Sequence, residues 1–313
     1  MGLREVAAIP FDDASRLGLP QLSLFEDQVV LGGCEFNPAG ELVWFVRTYD
    51  LTKPSAGAFV PIPLDRLAPS QDGYANALAQ VGDSLAVVLG EASAYAPQRD
   101  VLCVHSRLEN SWQLFSRDAA NLEMVVGYSR GASQVAFLDE VGAAPEIKLV
   151  DLRSPRAVRS VPAPRVSGPQ ALALNPSLTH LAVAHEGGVL AARLTGEVEC
   201  TWPSTECFRR LWFAEDDLAV FGIARESMVL HQWKGSVQQF KVPWMRPHTF
   251  EQTSRTAFFW SPKSRDFIEL DLSSGRARTG GTVPPAYCFD VDLRRRRIVT
   301  WSPGMMCRIF QMG

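Results

Sequence analysis

Ala257-Phe258-Phe259-Trp260-Ser261-Pro262 and Ile298-Val299-Thr300-Trp301-Ser302-Pro303 are one phrase written twice, 41 residues apart. Each is a short run of apolar, β-branched and aromatic residues that stops at Ser-Pro, which reads as a buried strand running into a turn. Similar strand–turn–strand phrases recur through the chain. Cys34-Glu35-Phe36 passes through Asn37-Pro38-Ala39-Gly40-Glu41 to a strand from Leu42. Leu172-Ala173-Leu174 passes through Asn175-Pro176-Ser177 to a strand from Leu181, and Leu211-Trp212-Phe213 through Ala214-Glu215-Asp216-Asp217 to a strand from Leu218. Fainter turns lie at Val81-Gly82-Asp83, Ser129-Arg130-Gly131-Ala132, Thr253-Ser254-Arg255-Thr256 and Arg294 to Arg297. Apolar spacing of the helical kind is almost absent.

Second strands are predicted to begin at Leu42, Leu85, Val135, Leu181, Leu218, Ala257 and Ile298, a mean step of about 43 residues. A four-stranded propeller blade takes roughly 40–45 residues. The third strands share a cadence: Glu146-Ile147-Lys148-Leu149-Val150-Asp151 and Asp266-Phe267-Ile268-Glu269-Leu270-Asp271 alternate apolar and polar up to an Asp, and Arg308-Ile309-Phe310-Gln311-Met312 follows suit. These strands resemble the closing strand of a WD40 blade, and the resemblance covers almost the whole chain. It is degenerate: no Gly-His opens a repeat and no Trp-Asp ends one, so nothing about partners carries over from it.

The expectation is an all-β, seven-bladed β-propeller of four-stranded antiparallel blades, a single domain over residues 1–313. The blades are placed at about 28–68, 73–119, 121–164, 168–204, 207–245, 248–283 and 286–313. The last has only three strands before the chain stops. Leu3 to Phe11 has no partner in the first blade, so residues 1–11 are expected to pair beside Met306 to Met312 and close the ring. Closure removes exposed sheet edges.

The 313 residues are 46% hydrophobic with net charge −3, which excludes a mainly disordered chain and a disulfide miniprotein. The six cysteines form no C-x-x-C and read as buried thiols of a reducing compartment. Met1-Gly2-Leu3-Arg4-Glu5-Val6 lacks a signal-peptide core, and Val6 stands where a myristoylation site wants Ser or Thr. Val166 to His185 is uncharged but broken by Pro169 and Pro176, which argues against a membrane span. The expectation is therefore cytoplasmic. The 26 Arg against 5 Lys read as the coding bias of a GC-rich bacterial genome. Residues 1–150 carry −9 and residues 151–313 carry +6, an asymmetry that can mark an interaction surface.

Chemistry-bearing motifs are few. Gly127-Tyr128-Ser129-Arg130-Gly131 matches the G-x-S-x-G nucleophile elbow, but the elbow needs a strand-to-helix turn, and Gln134-Val135-Ala136-Phe137-Leu138 reads as a strand. The histidines at 105, 180, 185, 231 and 248 make no H-x-H or H-E-x-x-H, and Glu215-Asp216-Asp217 is too short for a calcium loop. No catalytic residue, metal or cofactor is assigned. Arg294-Arg295-Arg296-Arg297 is the sharpest charge feature, a phosphate grip or simply a charged hairpin turn. Without aromatic interleaving, nucleic acid is not the expected partner. Trp44, Trp260 and Trp301 sit late in predicted strands, where they serve interblade packing or anchor a partner at one face.

The expected function is a non-catalytic protein-interaction scaffold, a subunit of a bacterial multi-protein assembly. Its partner-binding candidates are Arg294, Arg295, Arg296, Arg297, Trp260 and Trp301. The alternative is a propeller hydrolase or lyase with its site in the central channel, where isolated acidic groups leave no sequence motif.

Overall fold

Two Asn-Pro turns show how local chemistry ends a strand here. Asn37 Oδ1 accepts the Glu41 amide at 2.8 Å, with Gly40 at φ +82°. Asn175 Oδ1 accepts the amides of Thr179 and His180 at 2.8 and 2.7 Å, with Leu178 at φ +56°. In each case the side chain satisfies the backbone donors that a tight reversal leaves behind.

The computed structural model describes residues 2–9, 21–52, 58–62, 73–82, 84–91, 101–106, 109–116, 126–128, 133–139, 144–208, 210–213, 219–224, 227–233, 235–241, 251–252, 256–261, 266–271, 274–282, 286, 288–292, 295–301 and 306–313. Within them the chain is all β. After β1 (Leu3–Ile9), blade one holds β2 (Gln21–Phe25), β3 (Gln28–Phe36), β4 (Leu42–Asp50) and β5 (Ala58–Pro61). Blade two holds β6 (Gly73–Val81), β7 (Ser84–Glu91), β8 (Val101–Ser106) and β9 (Ser111–Ser116). Blade three holds β10 (Val126–Tyr128), β11 (Gln134–Asp139), β12 (Glu146–Asp151) and β13 (Val158–Pro162). Blade four holds β14 (Ala171–Leu174), β15 (His180–His185), β16 (Gly188–Arg193) and β17 (Val198–Pro203). Blade five holds β18 (Arg210–Phe213), β19 (Ala219–Ile223), β20 (Ser227–Gln232) and β21 (Val237–Lys241). Blade six holds β22 (Glu251–Gln252), β23 (Thr256–Ser261), β24 (Asp266–Asp271) and β25 (Ala277–Thr282). Blade seven holds β26 (Cys288–Asp292), β27 (Arg297–Trp301) and β28 (Cys307–Met312), and β1 is its fourth strand.

All seven sheets are four-stranded and antiparallel, as expected of a seven-bladed propeller, and six are simple meanders. β1 pairs with β28 from Leu3↔Met312 to Ile9↔Cys307. Six second strands start within one residue of the sequence reading. Blade one differs. Its sheet opens at Gln21, so Leu42 begins the third strand and Trp44 is not equivalent to Trp260 and Trp301. The reason lies in the turns. An Asn-Pro turn caps any antiparallel reversal: in blade one it joins second to third strand, in blade four first to second.

Packing between blades is apolar. Continuous clusters join blade seven to one, one to two, two to three, three to four and four to five. First strands lie side by side, β2 between β26 and β6, and β14 between β10 and β18, which puts them innermost. The fourth strand is then the rim. Its far end meets the third-to-fourth-strand turn of the following blade: Ile9 shares a cluster with Leu51, Phe115 with Leu152, and Val161 with Leu194. The Trp202 indole donates to the Gln232 carbonyl at 3.2 Å. At Gly196, φ +91°, a Cβ would stand 3.1 Å from the Pro162 ring, so the close approach needs glycine there.

Candidate functional site

Arg295, Arg296 and Arg297 occupy the turn between β26 and β27, at the seam of blades seven and one; Arg294 lies outside the described residues. Arg297 reaches across the seam to Asp27 Oδ1 at 2.5 Å. Arg295 contacts Asp292 at 3.5 Å and Glu26 of blade one at 3.8 Å. Arg296, at φ +54°, donates to the Gly313 carbonyl. Beneath them Asp290 Oδ2 accepts the Leu24 amide at 2.6 Å. These guanidinium groups are engaged within the fold, clasping two blades together.

Trp301 is 1% exposed and packs with Leu22, Leu24, Leu31 and Ile9 in the same seam. Its ring is packed between the two blades. Trp44 is likewise buried between blades one and two. Trp260 stands in β23 opposite Phe267, and its side chain lies outside what the structure describes. In the G-x-S-x-G stretch, Ser129 to Gly131 lie outside the described residues. Gly127 and Tyr128 belong to β10, antiparallel to β11, so the segment joins two strands, where an elbow would lead into a helix.

The seam of blades four and five carries groups the sequence reading did not single out. His231 is fully buried beside the rings of Trp202 and Phe208, at 5.3 and 5.6 Å between centroids, and among the described residues neither ring nitrogen has a hydrogen-bond partner. Desolvation pushes its pKa down to about 4, so the ring is neutral at pH 7. At the surface above, Thr179 Oγ1 meets His180 Nδ1 at 2.8 Å, and His180 Nε2 meets Glu199 at 3.5 Å. Arg193 binds Glu199 and holds its carboxyl below the usual range. This network neutralises itself. Among the described residues no three His, Cys, Asp or Glu side chains converge as metal ligands.

The rim differs. Val158, Val198 and Val237 each open the outer strand of their blade, at 40, 48 and 50% exposure. Each stands opposite the penultimate residue of the third strand: Val150, Ala192 and His231. Three successive blades thus repeat one half-exposed apolar position at the same register. Val6 and Leu114 are also exposed on outer strands, at other registers. The sequence signal was available: Val158-Arg-Ser-Val-Pro162, Val198-Glu-Cys-Thr-Trp-Pro203 and Val237-Gln-Gln-Phe-Lys-Val-Pro243 are variants of one phrase.

Among the described residues no helix is long and apolar enough to cross a membrane. No family model matches the chain, and no curated protein matches it by sequence. Solved structures do match in shape. Virginiamycin B lyase from Staphylococcus aureus aligns over 100% of this chain and 99% of its own, with TM-score 0.60 and 10% identity. The β-propeller domain of Myceliophteria thermophila Cps50 (Swd1) aligns over 100% of both, with TM-score 0.62 and 9% identity. A lyase and the β-propeller domain of Cps50 share this architecture, so the likeness is one of fold. The fold is that of a β-propeller of seven four-stranded sheets.

Proposed function

We propose that the whole chain is a single propeller acting as a non-catalytic scaffold, a subunit of a bacterial multi-protein assembly. The observation that carries this reading is the repeated exposed valine on the rims of blades three, four and five. An apolar position kept in water at one register on adjacent blades is worth little to the folded chain and much to an interface that covers it. Among the described residues Cys34, Cys103, Cys200, Cys207 and Cys307 form no disulfide, which supports a cytoplasmic setting. The alternative, a hydrolase or lyase with a channel site, is supported by fold likeness alone.

The test is affinity capture from source cells with the wild type and a Val158→Ser, Val198→Ser, Val237→Ser triple variant, thermal melting serving as control. The expected result is a defined partner set that the variant loses while its Tm stays within about 3 °C, since exposed substitutions cost little. A partner set unchanged by the triple variant would overturn the rim assignment.

A further inference from the structure

Blade three has the one rim among blades three to five on which like charges gather unneutralised. From Leu152 to Arg165 the chain reads Leu-Arg-Ser-Pro-Arg-Ala-Val-Arg-Ser-Val-Pro-Ala-Pro-Arg, with four arginines and no acid. The structure spreads them along the whole outer edge. Arg153 and Arg156 lie in the turn before β13, Arg159 lies within it, and Arg165 lies just beyond. All four are exposed, and among the described residues Arg153, Arg159 and Arg165 have no ion-pair partner; Arg156 touches Glu109 of blade two at 3.2 Å. Among the described residues β13 has β12 on one side and no strand on the other, which leaves it the outer strand of its sheet.

Register tells where these groups face. Arg159 and Val161 stand opposite Leu149 and Ile147, which pack toward blade four. Val198 stands opposite Ala192, in the same cluster, so it faces blade three. Arg159 and Val198 therefore flank one shallow junction between the two rims, a cation on one side and an apolar group on the other. On the far side of β13, Val158 stands above Val150, and Ser160 accepts from Lys148 at 2.8 Å.

We propose that the outer edge of blade three binds an extended, acidic segment of a partner protein, in which Asp or Glu alternates with apolar residues. The reading rests on the scaffold assignment above and adds the partner's chemistry. An extended chain matches an open strand edge, where main-chain groups supply contact and alternate side chains supply specificity. Carboxylates match guanidinium groups that are otherwise unsatisfied, and arginine binds them in bidentate fashion. Apolar residues between them meet Val158 and Val198.

The probe is a fluorescein-labelled peptide, Glu-Val-Glu-Ser repeated three times, titrated by anisotropy into the full chain at low and moderate salt. The controls are its Lys-Val-Lys-Ser counterpart and a 12-nucleotide single-stranded DNA. Binding of the acidic peptide alone is expected, weakened about tenfold by Arg153→Glu, Arg159→Glu, Arg165→Glu and by added salt. The Arg→Lys triple variant should retain most of the binding, which shows that charge is being read and folding is intact. No acidic-peptide binding, or binding indifferent to charge reversal, would overturn the proposal. Tighter binding of the DNA, lost on charge reversal, would also overturn it and make the edge a nucleic-acid surface. A captured partner set lost with the valine variant but kept with the arginine reversal would reject the acidic segment and leave the scaffold reading standing.

Discussion

Two regions of this molecule carry four arginines each, and they spend them differently. In the β26–β27 hairpin, Arg295 and Arg297 meet Asp292, Glu26 and Asp27, while Arg296 meets a terminal carbonyl. Along the outer edge of blade three, Arg153, Arg159 and Arg165 meet no acid among the described residues. The denser run, Arg294 to Arg297, is the one that draws the eye in the sequence, yet two of its described members, Arg295 and Arg297, are paired with acids at the seam. A guanidinium already paired has little left for a partner, whereas unpaired like charges repel one another until an anion arrives. Charge density along the chain is therefore a weaker guide to a binding surface than charge left over after folding.

The strongest way to probe the seam of blades seven and one is to remove the strand that completes blade seven. Deleting residues 2–9 takes away the fourth strand of blade seven and exposes the face that Ile9 covers. Truncating a buried isoleucine to alanine already costs about 2–4 kcal/mol, so the deletion should lower Tm by on the order of 10 °C. Differential scanning calorimetry checks this, and an unchanged Tm would show that β1 holds nothing together.

The seam of blades four and five offers the counter-case, held by neutral rings where blades seven and one use ion pairs. His231 has its pKa at about 4 in the folded chain against an ordinary 6.5. Between those values the unfolded chain takes up a proton that the folded chain does not, so stability is full above pH 6.5 and falls as pH drops toward 4. The loss should reach at most about 3 kcal/mol. Urea unfolding at pH 7.5 and 4.5 measures it, and His231→Phe should shrink the difference by that amount.

Smaller in size is the clasp itself. A double-mutant cycle on Arg297→Ala and Asp27→Ala should give a coupling of about 1 kcal/mol, because both groups are partly exposed. The smallest effect belongs to the other region. Arg153→Ser, Arg159→Ser, Arg165→Ser should leave Tm within about 1 °C of wild type, or raise it slightly by relieving repulsion. A clear loss of stability there would mean that these arginines have folding duties, and the contrast would dissolve.

Much of the architecture was legible in the sequence, and for a local reason. Strand period, Gly and Asn turns and the twice-written Trp-Ser-Pro phrase arise within about 43 residues, and six blades are meanders whose strands pair with their sequence neighbours, the seventh borrowing only β1 from the other end of the chain. The second strands of six blades follow from that, as does the need for a fourth strand in the last. Phase in blade one did not follow, because Asn37-Pro38 and Asn175-Pro176 share turn chemistry without sharing a place in the blade. The candidate surface was less legible still. Trp301 and Val158 are both apolar residues in strands, and only the packing of blade seven on blade one buries the first and leaves the second in water. The same holds for the arginines: Asp27 and Arg297 lie at opposite ends of the chain, and only the meeting of the first and last blades pairs them. Sequence alone determined the repeating unit, because hairpins are built from near neighbours. The tertiary structure alone decided which side chains remain unsatisfied, because satisfaction here comes from residues far apart in the chain.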